Sequence, residues 1–430
     1  DGAGGAGGAA EEKEGEEGEG KDAGAAVLAA VGDVEGVVAA LRGLVDACTN
    51  KEETADVRSI LGAKGGVETA FAACEAWLDA PTLLEPSMRL LRALLTGNGE
   101  NRRRVPAAAI LLAVVAAKRY KAPAPVHGAA LALTGTLCVQ HEGNKRAVFR
   151  NRVVDIVLRD LGGRGCAGDE RLVRDALPIL RALCMNDDPT AAVDAKAFDT
   201  AREIAAGDAL SVLLKVVEAN AKAPAVVADT LFTLTALAVN NDICKNLTEM
   251  GALSLVVSVG DAHMEDARVT RRCTELLKKL AGNDAIKAAM CADGADPLRL
   301  VLRAMNKHVE EPKVAEAGAA CVAAVCLRNP TNAAIVIKNE GVSCITGAMR
   351  AHVDVAPVQR SCCMAIRNMA SRDRTLRKTI RDEGVEPLLR VARANHPAIG
   401  DHVYAALRDL DLELRGGPVA IEEEADEGEE

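Results

Sequence analysis

The 430-residue chain predicts an all-α repeat protein, a right-handed α-solenoid with acidic tails, and two periodicities carry that prediction. Gly207, Gly251, Gly294, Gly341 and Gly384 recur every 43 to 47 residues, each between two apolar helical patterns. Gly66 extends the register upstream, with Ala109 and Val153 filling the two turns between. His263, His308, His352 and His396 follow one another at 45, 44 and 44 residues. Units of this length cannot bury an apolar face alone, so they stack on their neighbours.

Composition sets what fills the core. The chain is 49% hydrophobic but only 2% aromatic, so Leu, Ala and Val must supply nearly all of it. Each buried Leu or Val contributes about 1.5–3 kcal/mol. The net charge of −10 is placed at the ends. Residues 1–24 hold eight acids and two lysines, and residues 416–430 hold seven acids and no base, which leaves the middle at +3. Such Gly-rich acidic ends bury too little apolar surface to fold. The expected organisation is a disordered tail over 1–24, a repeat solenoid over 25–415 and a second disordered tail over 416–430. Both tails read first as solubilising segments, and second as acidic covers for a basic groove. The apolar run Val105–Ala117 is too short to span a bilayer and carries Pro106, so no membrane association is expected. The chain starts at Asp1 rather than Met, so the presence of the true N-terminus does not follow from the sequence.

The elements follow in order within each unit. Pro330 suits an early helical position, Ile335–Ile337 follow, and Gly341 breaks a short first helix. Val342–His352 forms a second helix with Val342, Ile345 and Met349 at apolar spacing. Pro357 opens a third and longest helix to Ala370, whose buried stripe is Cys362, Cys363, Ile366 and Met369. The next unit repeats the plan through Gly384, Val385–Asn395 and Ile399–Leu410. Third helices are expected to end near Cys48, Leu95, Cys138, Cys184, Ala238, Ala281, Arg328, Ala370 and Leu410, which counts about nine three-helix units of the armadillo type. The longer step from Val153 to Gly207 places an insertion at Asp187–Thr200. Third helices line the concave face of such stacks, the surface they offer to partners.

Chemistry is sparse. Thirteen cysteines occur without one Cys-x-x-Cys pair, so they read as small buried hydrophobes in a reducing compartment, cytosol or nucleus, and no metal site is expected. The histidine row does not suit a shared ion, because units stand about 10 Å apart and zinc holds its nitrogens at about 2.0–2.1 Å. A His in the last helical turn suits exposed carbonyls and the negative dipole end; a pH-responsive ridge is the other reading. Gly2, Gly4 and Gly7 match Gly-x-Gly-x-x-Gly but have no strand before them. No set of residues has the spacing of acid–base or nucleophilic catalysis, so no enzyme, catalytic residue or cofactor is expected. Basic residues cluster over Arg350–Arg393, and again at Arg102–Arg104 with Lys118, Arg119 and Lys121. Stacking aromatics are nearly absent, so no nucleic acid is expected. A solvated face is the first reading of both clusters, and recognition of an acidic protein or peptide by the late cluster is the preferred functional one.

Several segments carry a resemblance. The stretches Leu280–Met290, Met349–His352, Cys363–Asn368 and Ala405–Leu410 occur in order with the ladder ending at His308. They resemble the armadillo repeat-containing protein 6 family, strongly from about Gly207 to Leu414 and more thinly from about residue 34. The resemblance implies an armadillo solenoid with a non-catalytic interaction role. Importin-alpha grooves, by comparison, repeat Trp and Asn four residues apart on successive third helices. At those positions this chain keeps one Asn, Asn368, and no Trp; Phe232, Glu275 and Met364 stand at Trp positions and Lys279 at an Asn position. Import of basic nuclear signals is therefore not expected. The candidate partner-binding groove is Arg360, Met364, Arg367 and Asn368, with Phe232, Glu275 and Lys279. The expected function is a protein-binding scaffold or adaptor, with a chaperone cofactor that clamps a heat-shock ATPase as the alternative. Oligomeric state and partner identity do not follow from the sequence.

Overall fold

The computed structural model describes residues 32–50, 54–163, 168–191, 196–292 and 296–413. Both acidic tails and Gly294 lie outside the described residues. Among the described residues every regular element is a helix. After α1 (Val34–Thr49) the helices run in triplets. The first is α2 (Thr54–Ala63), α3 (Gly66–Ala76) and α4 (Pro81–Leu95). The second is α5 (Gly99–Arg104), α6 (Ala109–Arg119) and α7 (Pro125–Leu137). The third is α8 (Glu142–Arg150), α9 (Val153–Gly162) and α10 (Glu170–Leu183). Then come α11 (Ala197–Ala206), α12 (Ala209–Ala219) and α13 (Pro224–Leu237), followed by α14 (Asn241–Glu249), α15 (Ala252–Ala262) and α16 (Ala267–Leu280). The last three triplets are α17 (Asp284–Met290), α18 (Asp296–Lys307) and α19 (Pro312–Cys326); α20 (Pro330–Lys338), α21 (Gly341–Ala351) and α22 (Ala356–Ala370); and α23 (Thr375–Asp382), α24 (Val385–Asn395) and α25 (Gly400–Asp409). The third helices end within two residues of the positions expected from the sequence.

Local chemistry sets these boundaries. Proline opens α4, α7, α13 and α19, where the missing N–H has no intrahelical partner to lose. Asparagine caps the first helices α5, α14, α17 and α20 by accepting a backbone N–H with its side chain. The described register glycines divide into three kinds. Gly251 and Gly384 sit at φ +87° and +69°, where a side chain is strained. Gly341 instead opens its helix: the positive φ falls on Glu340, at 62°, and a Cβ at Gly341 would strike the Val336 side chain and lie 2.8 Å from its carbonyl oxygen. Gly66 likewise follows the left-handed Gly65 and presses on the Leu61 carbonyl. Gly207 is extended, at φ −86° and ψ −154°. Period 43–47 thus marks a turn whose strain moves between neighbouring residues.

The chain forms two compact units, residues 1–212 and 213–430. In the first, the third helices α1, α4, α7 and α10 pack side by side in order. In the second, α13, α16, α19, α22 and α25 do the same, and the second helices α15, α18, α21 and α24 form a parallel row. Small side chains let these helices approach. On α19, Ala315, Ala319, Val322 and Cys326 are all fully buried or nearly so. Eleven of the twelve described cysteines are buried. Burial pushes the thiols of Cys138, Cys273, Cys321 and Cys363 up to about 12, so they pack as neutral apolar groups.

The histidine row has a structural basis that differs from the expected contact with its own helix. Each histidine follows its second helix as C-cap, and its Nε2 meets a carbonyl oxygen of the preceding repeat at 2.7 Å. His263 meets Ala221, His308 meets Met264, His352 meets Val309 and His396 meets Val353. Each accepting residue after the first directly follows the preceding histidine, so the rungs form one register. Tyr120 makes the same reach in the first unit, its hydroxyl donating to the Leu78 carbonyl at 2.8 Å. Nε2 donates in neutral and protonated imidazole alike, given the matching tautomer. That geometry favours a register pin over a pH-responsive ridge. His308→Ala is expected to lower the stability of the second unit by about 1 kcal/mol, the net worth of one such bond. Urea unfolding followed by circular dichroism measures it, and an unshifted midpoint would remove the rung from the account.

The insertion expected at Asp187–Thr200 folds back on the preceding repeat. Asp188 accepts the Glu142 N–H at the start of α8 (2.9 Å), and Asp187 accepts the Gln140 N–H at 3.1 Å. Lys145, nearly buried, donates to the Met185 carbonyl and to Asp187. Hydrogen bonds from Thr190 and from the Glu142 backbone hold the Asp188 carboxyl at about 2, below its ordinary 3.8. A depressed carboxyl stabilises the fold above its ordinary pKa and loses that contribution as pH falls through about 2. Asp188→Ala should therefore melt earlier than the parent at pH 5, with the gap closing between pH 4 and 2. A gap that stays constant down to pH 2 contradicts the contact.

Candidate functional site

The candidate groove of the second unit lies on its third helices α16, α19 and α22, with His402 of α25 at its edge. These third helices are amphipathic, and the stripe opposite the core is left facing the groove. They enclose an open groove of about 560 Å³. Of the seven residues expected from the sequence, the structure brings five to it: Glu275, Arg360, Met364, Arg367 and Asn368. Phe232 and Lys279 are not in its lining. Phe232 lies one repeat back, with the Arg272 guanidinium 3.7 Å from its ring centroid. Lys279 is turned away, and Lys278 lines the groove in its place; one residue on a helix is a rotation of about 100°.

Sequence reasoning also missed Arg271, Lys313 and Leu327. A signal for two of the cations was present. Arg271 and Lys278 are seven residues apart on α16, as are Arg360 and Arg367 on α22, and such pairs share one helix face. The floor between these rails is small and apolar: part-exposed Ala320 and Ala324, with Met364 and Leu327 39% and 46% exposed.

Charge pairing separates the cations that hold the fold from those that face solvent. Glu275 accepts from Arg271 at 2.8 Å and from Arg272 at 2.6 Å. Lys313 lies 3.3 Å from Glu316, and Arg367 3.6 Å from Asp409. Arg377, Arg381 and Arg390, from the same late basic cluster, donate to the carbonyls of Ala370, Leu410 and Glu413. In the other expected cluster, Arg102 reaches the Leu95 carbonyl and Arg119 pairs with Asp79. Neither Lys278 nor Arg360 has a hydrogen bond or ion pair among the described residues, and both are exposed. Five Arg and Lys and two Glu side chains line the groove, a sum of +3. Asn368 donates one amide N–H to the Ala323 carbonyl at 2.8 Å, which ties α22 to α19.

The corresponding face of the first unit is closed by its own charges. Arg89 of α4 reaches past α7 to form a two-pronged pair with Asp175 of α10, at 2.8 and 2.6 Å. Glu85 binds both Arg89 and Arg171. Gly128 of α7 lies beneath, and a Cβ there would sit 2.9 Å from an Asp175 oxygen. Burial works against the Arg89 charge, but its bonds to Asp175 and Glu85 outweigh that and hold its pKa above the ordinary value. Among the described residues, no group of three or more His, Cys, Asp or Glu could hold a metal ion. No described helix is long and apolar enough to cross a membrane.

Comparison with known proteins places this architecture. The family model ARMC6 matches residues 28–420, nearly the whole chain. The chain belongs to the ARMC6 family. Within the family's named members, it is similar to the armadillo repeat-containing protein 6 homolog of Drosophila melanogaster, at 29% identity over 191 residues, 44% of this chain and 39% of that protein. It is 27% identical to armadillo repeat-containing protein 6 of Homo sapiens over 207 residues, 46% of this chain and 40% of that one. The matched stretch thus spans about two fifths of each curated relative. Two solved structures share the fold. An engineered protein superimposes with a TM-score of 0.65 at 16% identity, covering 88% of each chain. A structure from work on a phosphorylation switch between cadherin and beta-catenin superimposes with a TM-score of 0.56 at 12% identity, covering 86% of this chain and 68% of that chain. ARMC6 membership and these likenesses make the helix triplets armadillo repeats.

Proposed function

We propose that the protein is a non-catalytic scaffold whose second unit binds an acidic protein or peptide segment along the groove of α16, α19 and α22. The observation that carries this reading is the exposed, unpaired Arg360 in a groove of net charge +3. An armadillo stack presents a long third-helix surface to partners, and complementary charge selects among them. The buried, neutral thiols support a reducing compartment, cytosol or nucleus.

Fluorescence anisotropy of a labelled oligoglutamate peptide titrated with the full chain tests the reading. Binding is expected to weaken with added salt, and to weaken about tenfold or more in the double variant Arg360→Glu, Arg367→Glu. The variant's thermal melt should fall only slightly below the parent's, since Arg360 has no ion pair among the described residues and Arg367 has one half-exposed pair, with Asp409 at 3.6 Å. Unchanged peptide affinity in a normally folded double variant would refute the site.

A further inference from the structure

We infer that the groove selects an extended segment carrying two carboxylates six residues apart, with apolar side chains at the second and fourth positions between them. This inference rests on the proposed function and adds the spacing. Among the described residues, Lys278 and Arg360 are the two lining cations without a hydrogen bond or ion pair, and they lie on α16 and α22, the outer two of the three helices. Two helix spacings separate α16 from α22, about 16–20 Å. Residue 360 is also seven positions before 367, the α22 counterpart of residue 278, which is about 10 Å along the helix axis. The diagonal is therefore about 20 Å. An extended chain rises about 3.3 Å per residue, so about six residues span it.

Strand pleating then decides which side chains face the floor. Alternate side chains of an extended segment share a face, so residues i, i+2, i+4 and i+6 all point into the groove. The two ends meet Lys278 and Arg360, and the two middle positions meet Ala320, Ala324 and Met364, whose exposed surface has no cover. Small alanines on α19 leave room there that a bulkier floor would fill. One unpaired cation at each end matches one negative charge. A phosphate, near −2, is suited by converging cations instead, so the carboxylate is the assigned ligand.

The probe is a fluorescein-labelled synthetic peptide with Glu at i and i+6, Leu at i+2 and i+4, and Gly or Ser elsewhere. Anisotropy with the full chain is compared with Glu spacings of three and nine, and with phosphoserine in place of Glu. The six-residue spacing is expected to bind about tenfold more tightly than the others. Arg360→Glu should lose that advantage and regain it with a peptide in which one Glu is replaced by Lys. Equal affinity at all spacings overturns the inference while leaving an acidic-peptide groove intact. Failure of every acidic peptide to bind overturns both. Phosphoserine binding more than tenfold tighter overturns the carboxylate assignment.

Discussion

Asp175→Ala is expected to destabilise the first unit by about 3 kcal/mol, the low end of the cost of breaking a buried ion pair, because Glu85 remains as a partner of the Arg89 guanidinium. The Arg89 and Asp175 side chains are only 13% and 7% exposed, so water cannot replace the lost carboxylate. The pair spans α7 and joins third helices two repeats apart, 86 residues in sequence. Removing it leaves Arg89 facing Arg92, whose charge is already disfavoured by burial and by Arg89 and Arg174, with Asp175 as the opposing attraction. The double variant Arg89→Met, Asp175→Leu should recover most of the loss, because the charges are removed together. Urea unfolding of the single and double variants measures both. A double variant as unstable as Asp175→Ala would mean that packing, and not charge, accounts for the loss.

Gly135→Leu is expected to cost about 2–3 kcal/mol, whereas Gly135→Ala should be close to neutral. A Cβ at Gly135 would lie 3.0 Å from Cβ of Pro178, 3.2 Å from the Ile179 nitrogen and 3.3 Å from the Pro178 carbonyl carbon. Two of these three are backbone atoms of α10 and cannot rotate away. Alanine meets this squeeze but gains about 1 kcal/mol of helix propensity over glycine. Leucine adds three carbons where α7 and α10 touch, and overpacking of this kind typically costs 1–3 kcal/mol. Thermal melts of the two variants separate the effects. A leucine variant as stable as the parent would show that the helices can slide apart at no cost.

The helix plan was legible because each repeat writes its own punctuation. Proline at the start of α4, α7, α13 and α19, and asparagine before the first helices, act on the nearest few backbone groups. Those effects need no tertiary partner, so the sequence carries them. The histidine row was visible as a period but not as a contact: the acceptor of His308 is a carbonyl 44 residues away. Gly341 marks the break after the first helix, but its need for glycine comes from contact with Val336, which the sequence does not show. In the groove, seven-residue spacing could have shown Lys278, but its lack of a partner could not be seen. Arg360, Arg377 and Arg381 look alike in sequence. Only packing sends two of them to carbonyl oxygens and leaves the third in the groove.

By itself, the sequence determined that this protein is a stack of three-helix repeats with small, aliphatic cores, because helix periodicity and capping are local. Tertiary structure decided which charges are satisfied within the fold. Charge pairing reaches residues up to 86 positions apart, so arginines alike in sequence close one face through Arg89 and Asp175 and leave the groove open at Arg360.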